Sequence, residues 1–327
     1  MKLRLIVASL SLMLFVEKSA VGAQEHAAEH VADTTAAVEH APAARSDIIT
    51  PHITDSRHME IPWPTRTLFK EIELPYTEAL VFGPFDFNLS KHVVFIILGA
   101  TLLTLVMILA ARSVRRSAAA GESPKGAANA LEAVVLYIRN EVILPNVGHH
   151  GEGFVPYLLT AFFFILVLNL LGLVPFGSTA TGNISVTASM ALLTFFTVEI
   201  AGIRALGAGY LSTIFYWNKE MALPMRIAMF LIMSPVELIG KFTKPFALAI
   251  RLFANMTAGH IVVLAFVGMV FTFAAVQNPI IRPIAMGLPL LMAIAIMFLE
   301  LLVAFLQAFI FTLLSAVFIG QIREAHH

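Results

Sequence analysis

The hydrophobic pattern of this chain comes in long blocks, not in the short alternations of strands or the one-sided stripes of soluble helices. His92 to Ala111 is twenty mostly apolar residues, followed at once by Arg112, Arg115, Arg116 and Lys125. That length suits a helix crossing a hydrocarbon layer of about 30 Å, and the basic cluster puts its far end on the cytoplasmic side. Phe154 to Pro175 predicts a return crossing and Ile184 to Leu206 the next, joined by the uncharged loop FGSTATGN. A loop without Lys or Arg suits the outer side. Ser234 to Phe273 and Pro279 to Gly320 run for 40 and 42 residues, and a helix of that length would measure about 60 Å, twice the layer. Pro235, Pro245, Pro283 and Pro289 permit kinks. The short QNP turn between the two blocks leaves no room for further crossings, so they are expected to form two steeply tilted, bent helices packed as an antiparallel hairpin. The expected fold is an all-α polytopic membrane protein with five crossings, its N-terminus outside and its C-terminus inside.

Between these blocks the pattern changes period. Leu131, Val134, Val135, Ile138 and Val142 fall at helical spacing with Glu132, Arg139 and Glu141 between them, and Pro145 closes the pattern. This predicts an amphipathic helix on the cytoplasmic interface. Gly207 to Arg226, partly apolar and rich in Tyr and Trp, is expected to connect on the same side along the interface.

The N-terminal end has a different character. Residues 1–23 combine Lys2 and Arg4, an apolar run from Leu5 to Val16 and the small-residue sequence Val21-Gly22-Ala23, the layout of a cleavable signal peptide. The alternative, an uncleaved first helix, has only twelve apolar residues where about 20 are needed. Residues 24–80 are expected to be an extracytoplasmic and largely disordered segment, and 81–327 the membrane domain, with 234–320 its hairpin. His26 and His30 stand at i, i+4, a spacing that can hold a metal on one helix face. The segment has too little apolar periodicity to build a core, so a disordered tail is the expected reading and the metal clamp the lesser one.

Composition agrees with the pattern. Hydrophobic residues make up 58% of the 327, charged residues 13%, and mean hydropathy is +0.84, far from the roughly 25% charged residues of a soluble domain. A formal net charge of +0 gives no bias toward nucleic acid. The absence of cysteine excludes disulfides, thiolate metal sites, Fe–S clusters and cysteine nucleophiles together.

Polar residues at membrane depth are therefore the candidate chemistry. Arg251 keeps its charge at any physiological pH and stands in sequence apolar enough to be embedded, where such a group costs roughly 2.5 to more than 10 kcal/mol. Ala247, Arg251, Ala254 and Ala258 share one helix face, a strip of small side chains that offers a charge to a close partner. His260 lies nine residues on, half a turn round the helix. It stands 18 residues before Asn278 and Glu300 stands 22 after it, so an antiparallel pair brings them to similar depth as a proton-handling pair. Glu300 and Gln307, seven apart, share a face. Glu237, Lys241 and Lys244 lie nearer the inner end, where the lysines are expected to snorkel to water. Asn169 serves either a helix–helix hydrogen bond or a polar path, and Glu199 is expected to pair with Arg204 or with a neighbouring helix.

RLFANMTAGH at 251–260, ELIGKFTKPFALAI before it, FVPYLLTAFFFILVLNLLGLVP at 154–175 and ELLVAFLQAFIFTLLSAVFIG at 300–320 resemble subunit a of the bacterial F-type ATP synthase, over roughly residues 80–322. The resemblance implies a membrane stator subunit beside a rotating ring of c subunits, with two offset half-channels for protons, the b subunits of a peripheral stalk as further partners, and no cofactor. It also implies a bacterial inner-membrane location. By similarity Arg251 is the arginine facing the ring carboxylate, Asn169, Asn255 and Gln307 match polar positions along the proton path, and Glu237 matches the carboxylate on the cytoplasmic side. His260 and Glu300 depart from many relatives, which carry Glu and His at those positions respectively. The pair looks exchanged. Gly172 stands where some relatives have an acid.

The competing reading from another class is a secondary transporter that binds an anionic substrate at Arg251. It predicts paired repeats with broken helices in both halves, and this sequence has one long hairpin at its C-terminal end and no matching half. A membrane enzyme is weaker still, since there is no HExxH or Gly-x-Ser-x-Gly motif.

Overall fold

The structure is a computed structural model, and it describes residues 58–62, 69–75, 81–82, 85–86, 90–148, 151–174, 179–215 and 223–324. The expected signal segment, the His26 and His30 pair and the last three residues lie outside that set.

Five helices long and apolar enough to cross a membrane dominate the described residues, as the block pattern predicts. The first, α1, runs Lys91–Ala119. Ser90 caps it by accepting a hydrogen bond from the Val93 amide at 3.4 Å. Next, α2 starts at Ala127–Tyr137, widens into a π-turn at Ile138–Ile143 and tightens again through Leu144–Val147. Pro145 does not end this element as its position suggests. The wider turn just before the proline relieves the clash between its ring and the preceding carbonyls, and Asn146 donates to the Val142 carbonyl at 2.7 Å. Nor is the element a purely interfacial rod, because Ile138, Val142, Ile143 and Val147 are buried against α3 (Val155–Leu173) and α7 (Ile281–Glu324). Gly320 makes this approach possible, since a Cβ there would overlap the Asn146 carbonyl.

Helix α3 is apolar on all sides, as a helix enclosed by others should be, and its Leu158, Phe162, Ile165 and Leu168 are fully buried. Helix α4 (Ile184–Leu206) begins on Asn183, whose side chain accepts from the Ser185 amide at 2.9 Å. A short α5 (Tyr210–Ile214) follows, then α6 (Leu223–Ala274), whose 52 residues continue through Pro235 and Pro245. The connection expected over Gly207 to Arg226 is therefore shorter than its composition suggests, because helix resumes at Leu223. Helices α6 and α7 pack against each other. At the turn between them Asn278 accepts from the amides of Ile280 and Ile281, at 3.0 and 3.2 Å, so the Asn-Pro pair acts as cap and first-turn proline of α7.

Ahead of the helices, β1 (His58–Pro62) pairs antiparallel with β2 (Phe69–Glu73), and β3 (Val81–Phe82) with β4 (Phe85–Asp86). Neither ribbon was legible in a segment whose apolar periodicity is weak. A two-stranded ribbon has no sheet face to fill, so its sequence carries little of the pattern that marks a strand.

Candidate functional site

Helix α6 sorts its side chains into two sets. Leu248, Leu252 and Met256 are buried against the bundle, whereas Ala247, Arg251, Ala254 and Ala258 are all exposed. The strip of small residues read from helical spacing is thus a bare strip on the outside of the chain, with Arg251 in it. Among the described residues no hydrogen bond or ion pair reaches Arg251. A guanidinium in apolar surroundings with no partner among the described residues is arranged for a partner elsewhere.

Along α6 a polar cluster lies on each side of Arg251. The one toward the hairpin turn begins at Asn255, four residues on, which donates to Gln307 Oε1 on α7 at 3.0 Å. Gln307 is 1% exposed, and its amide nitrogen makes no hydrogen bond among the described residues. Buried Glu300 lies against Gly259, close enough that a Cβ on Gly259 would overlap its carboxylate. The packing of α7 on α6 thereby brings Glu300 beside the residue that precedes His260. Fully buried Asn169 donates to the Ala304 carbonyl of α7 at 3.2 Å and accepts from Thr181 Oγ1 at 2.8 Å. Of the two readings for it, the structure has the interhelical hydrogen bond.

Thr181 was missed by sequence reading. The loop between α3 and α4 folds inward as a turn at Ala180–Gly182, with Thr179, Ala180 and Thr181 buried and the Gly182 carbonyl 3.5 Å from Thr257 Oγ1 of α6. Absence of charge, taken as a sign of an outer loop, equally permits insertion among helices. The Thr-rich sequence beside a buried Asn was the available signal. Gly172 faces the same turn, and a Cβ there would stand 2.8 Å from Thr179 Oγ1. An acidic side chain at Gly172 and this packing of Thr179 exclude each other.

The second cluster lies toward the N-terminal end of α6. Glu237, Lys241 and Lys244 line a cavity of about 180 Å³ together with Glu199 and Thr194 of α4. Lys241 does not snorkel to water. It is buried, with Nζ 3.5 Å from Glu199 Oε1 and donating to Tyr210 Oη at 2.6 Å. Glu199 therefore pairs across helices and not with Arg204, which is exposed. A buried ammonium retains its charge most readily beside a carboxylate, and this preference overrides snorkelling here. Glu237 and Lys244 remain exposed at the cavity.

Arg251 thus stands seven residues after Lys244 and four before Asn255, between two polar clusters it does not join. This arrangement lies within residues 93–320, the part of the chain that matches the family model described as ATP synthase A chain. The chain belongs to that family. Among relatives, it is 44% identical over 300 residues to ATP synthase subunit a 2 of Chlorobaculum tepidum, covering 91% of this chain and 78% of that one. It is 41% identical to ATP synthase subunit a 2 of Prosthecochloris aestuarii over 99% of this chain and 93% of the relative, and 46% identical to ATP synthase subunit a of Chloroherpeton thalassium over 77% and 71%. The ATP synthase A chain match takes in Arg251 and both polar clusters, and stops short of the two β ribbons.

Proposed function

We propose that the two clusters are the two proton half-paths of this stator subunit, kept apart by Arg251. As an ATP synthase subunit a, the chain is the proton-translocating stator of the membrane sector. Protons enter from the outer side past Glu300, His260 and Asn169, with Asn255 and Gln307 flanking the route to the bare strip. There they neutralise a carboxylate carried by a ring of c subunits, which lets that site turn into lipid. On the other side Glu237 exchanges protons between the ring and the cytoplasm. Arg251 attracts each returning ionised carboxylate, and because it cannot give up its proton it cannot relay one between the paths. A proton crossing 100 mV gains about 2.3 kcal/mol, so several crossings must be gathered for each ATP.

The observation that carries this reading is the exposed Arg251, without a hydrogen bond or ion pair among the described residues, in its strip of alanines between polar groups that the fold buries on either side. The sequence pattern and the family resemblance supply the remainder of the reading. The N-terminus faces the periplasm behind a cleaved signal, the C-terminus faces the cytoplasm, the long hairpin tilts in a bacterial inner membrane, and b subunits of the stalk hold the stator still. Gentle purification of the complex through a tag on this chain is expected to bring down a ring of small c subunits in stoichiometric amount. A chain that purifies alone and transports an anionic solute in vesicles would favour the secondary transporter instead.

A further inference from the structure

The cavity at the Glu237 end contains an ion pair that no step of the proton path uses. Glu199 of α4 and Lys241 of α6 meet at 3.5 Å, with side chains 19% and 8% exposed. Tyr210 closes the group into a ring of three, donating its hydroxyl proton to Glu199 Oε2 while accepting from Lys241 Nζ. The Lys241 ammonium also lies 4.2 Å from the centre of the Tyr210 ring.

The tyrosine is held in place. Gly202, one turn along α4 from Glu199, leaves the space its ring fills, since a Cβ there would stand 2.6 Å from Tyr210 Cε2 and 3.2 Å from Ile322 Cδ1. Burial, helped by the neighbouring Glu199 carboxylate, holds the Tyr210 phenol above its ordinary range. The hydroxyl therefore stays a donor, and the direction of its bond to Glu199 is fixed.

Charge counting shows what this arrangement does to the cavity. Two carboxylates and two ammonium groups line it: Glu199 from α4, and Glu237, Lys241 and Lys244 from α6. Tyr210 of α5 stands behind Glu199, while α7 supplies the uncharged Phe318, Gln321 and Ile322. Lys241 is one turn from Glu237 on the same helix face as well as in contact with Glu199. Left without its cation, Glu199 would be a second proton acceptor in the space through which Glu237 exchanges protons.

We propose that Lys241 is a positioning residue for the inner half-path: locked to Glu199 and Tyr210 as a neutral cluster, it withdraws Glu199 from proton exchange and leaves that exchange to Glu237. The inference rests on the reading of this cavity as the inner half-path.

The test uses the intact complex in inverted vesicles, with ATP-driven acidification followed as a function of the pH of the medium, which bathes the inner face. In Lys241→Met, Glu199 binds protons at a pH where the parent cavity no longer does, and the alkaline limb of the profile moves up by about one pH unit. Lys241→Arg keeps the cation and the parent profile. The charge-matched double variant Glu199→Gln with Lys241→Met returns the limb to the parent position, even where the single variant assembles poorly. A role confined to holding the fold would lower the amount of assembled complex and leave the shape of the profile alone. A Lys241→Met profile that superimposes on the parent, or a double variant displaced as far as the single one, overturns the proposal. An Arg251→Gln arm reports on the path itself: pumping retained there would sink the half-path reading, whatever Lys241 does.

Discussion

Arg251→Gln is expected to reduce ATP-driven acidification of inverted vesicles to background while the complex still assembles. The arginine side chain is exposed, and among the described residues nothing is bonded to it, so its removal breaks no hydrogen bond or ion pair among them and the fold should tolerate the change. What disappears is attraction for the ring carboxylate. Two opposite charges at 4 Å with an effective dielectric of 20 attract by about 4 kcal/mol, roughly a thousandfold in the population of the docked site. The barrier between the two polar clusters disappears with it, so passive proton leak through the membrane sector should rise as coupled pumping falls. Arg251→Lys is a weaker substitute than its charge suggests, because an ammonium is a compact, strongly hydrated donor whose pKa shifts in apolar surroundings. Coupled acidification surviving in Arg251→Gln would remove the reason for the charge to be there.

The second large effect belongs to the outer cluster. His260→Glu alone places two carboxylates where the hairpin brings Glu300 against Gly259, and Glu300→His alone places two imidazoles there. On the proposed reading, either single change removes the mixed acid and base pair through which the proton passes. Each is expected to lower pumping by about tenfold, and the double exchange to recover most of that loss, because residues acting on one proton depart from additivity. The geometry adds a condition. Glu300 occupies the space above the Cα of Gly259, so an imidazole at 300 must fit the same gap, and the absent Cβ at 259 is what permits it. Losses that simply multiply in the double variant would mean that the two positions work independently. The recovery is measured as the initial rate of ATP-driven acidification, normalised to assembled complex.

Much of this architecture was legible because a membrane allows so few solutions. Apolar blocks of fixed length with basic residues at one end specify crossings, and the repeat of small residues around Arg251 specified the bare strip, which the structure shows as four exposed positions in a helix whose Leu248, Leu252 and Met256 are buried. Counting outward from Asn278 places Glu300 near position 259, where the structure has it, whereas the Asn255–Gln307 bond was not read from the sequence.

What escaped the sequence shares one physical cause. Lys241, Tyr210 and Thr181 gain their contacts from partners on other elements, at sequence separations where periodicity carries no information, and for Glu199 the sequence offered a neighbouring helix but not the residue on it. A lysine near a helix end has two low-energy choices, water or a carboxylate, and only the tertiary fold decides between them. Likewise a polar uncharged loop can lie in water or plug a bundle, and Thr181 reaching Asn169 decides for the second. The π-turn before Pro145 belongs to the same class, because the buried packing of Ile138 and Ile143 against α3 and α7 holds a helix together through a residue that would end it in isolation.

A face of α6 that bears Arg251 and meets a moving ring should be open to disulfide trapping against that ring. The chain contains no cysteine, so a single cysteine can be introduced without removing any other. Ala254→Cys lies on the exposed strip beside Arg251, and Leu252→Cys, at a position that is 0% exposed, serves as the control on the same turn. With a second cysteine placed next to the ring carboxylate, oxidation requires the two Cα atoms to come within about 7 Å. The account predicts a cross-linked product from Ala254→Cys, formed with c subunits and blocking rotation until reduced, and none from Leu252→Cys. Cross-linking from Leu252→Cys but not from Ala254→Cys, or from neither while the complex is intact, would contradict it.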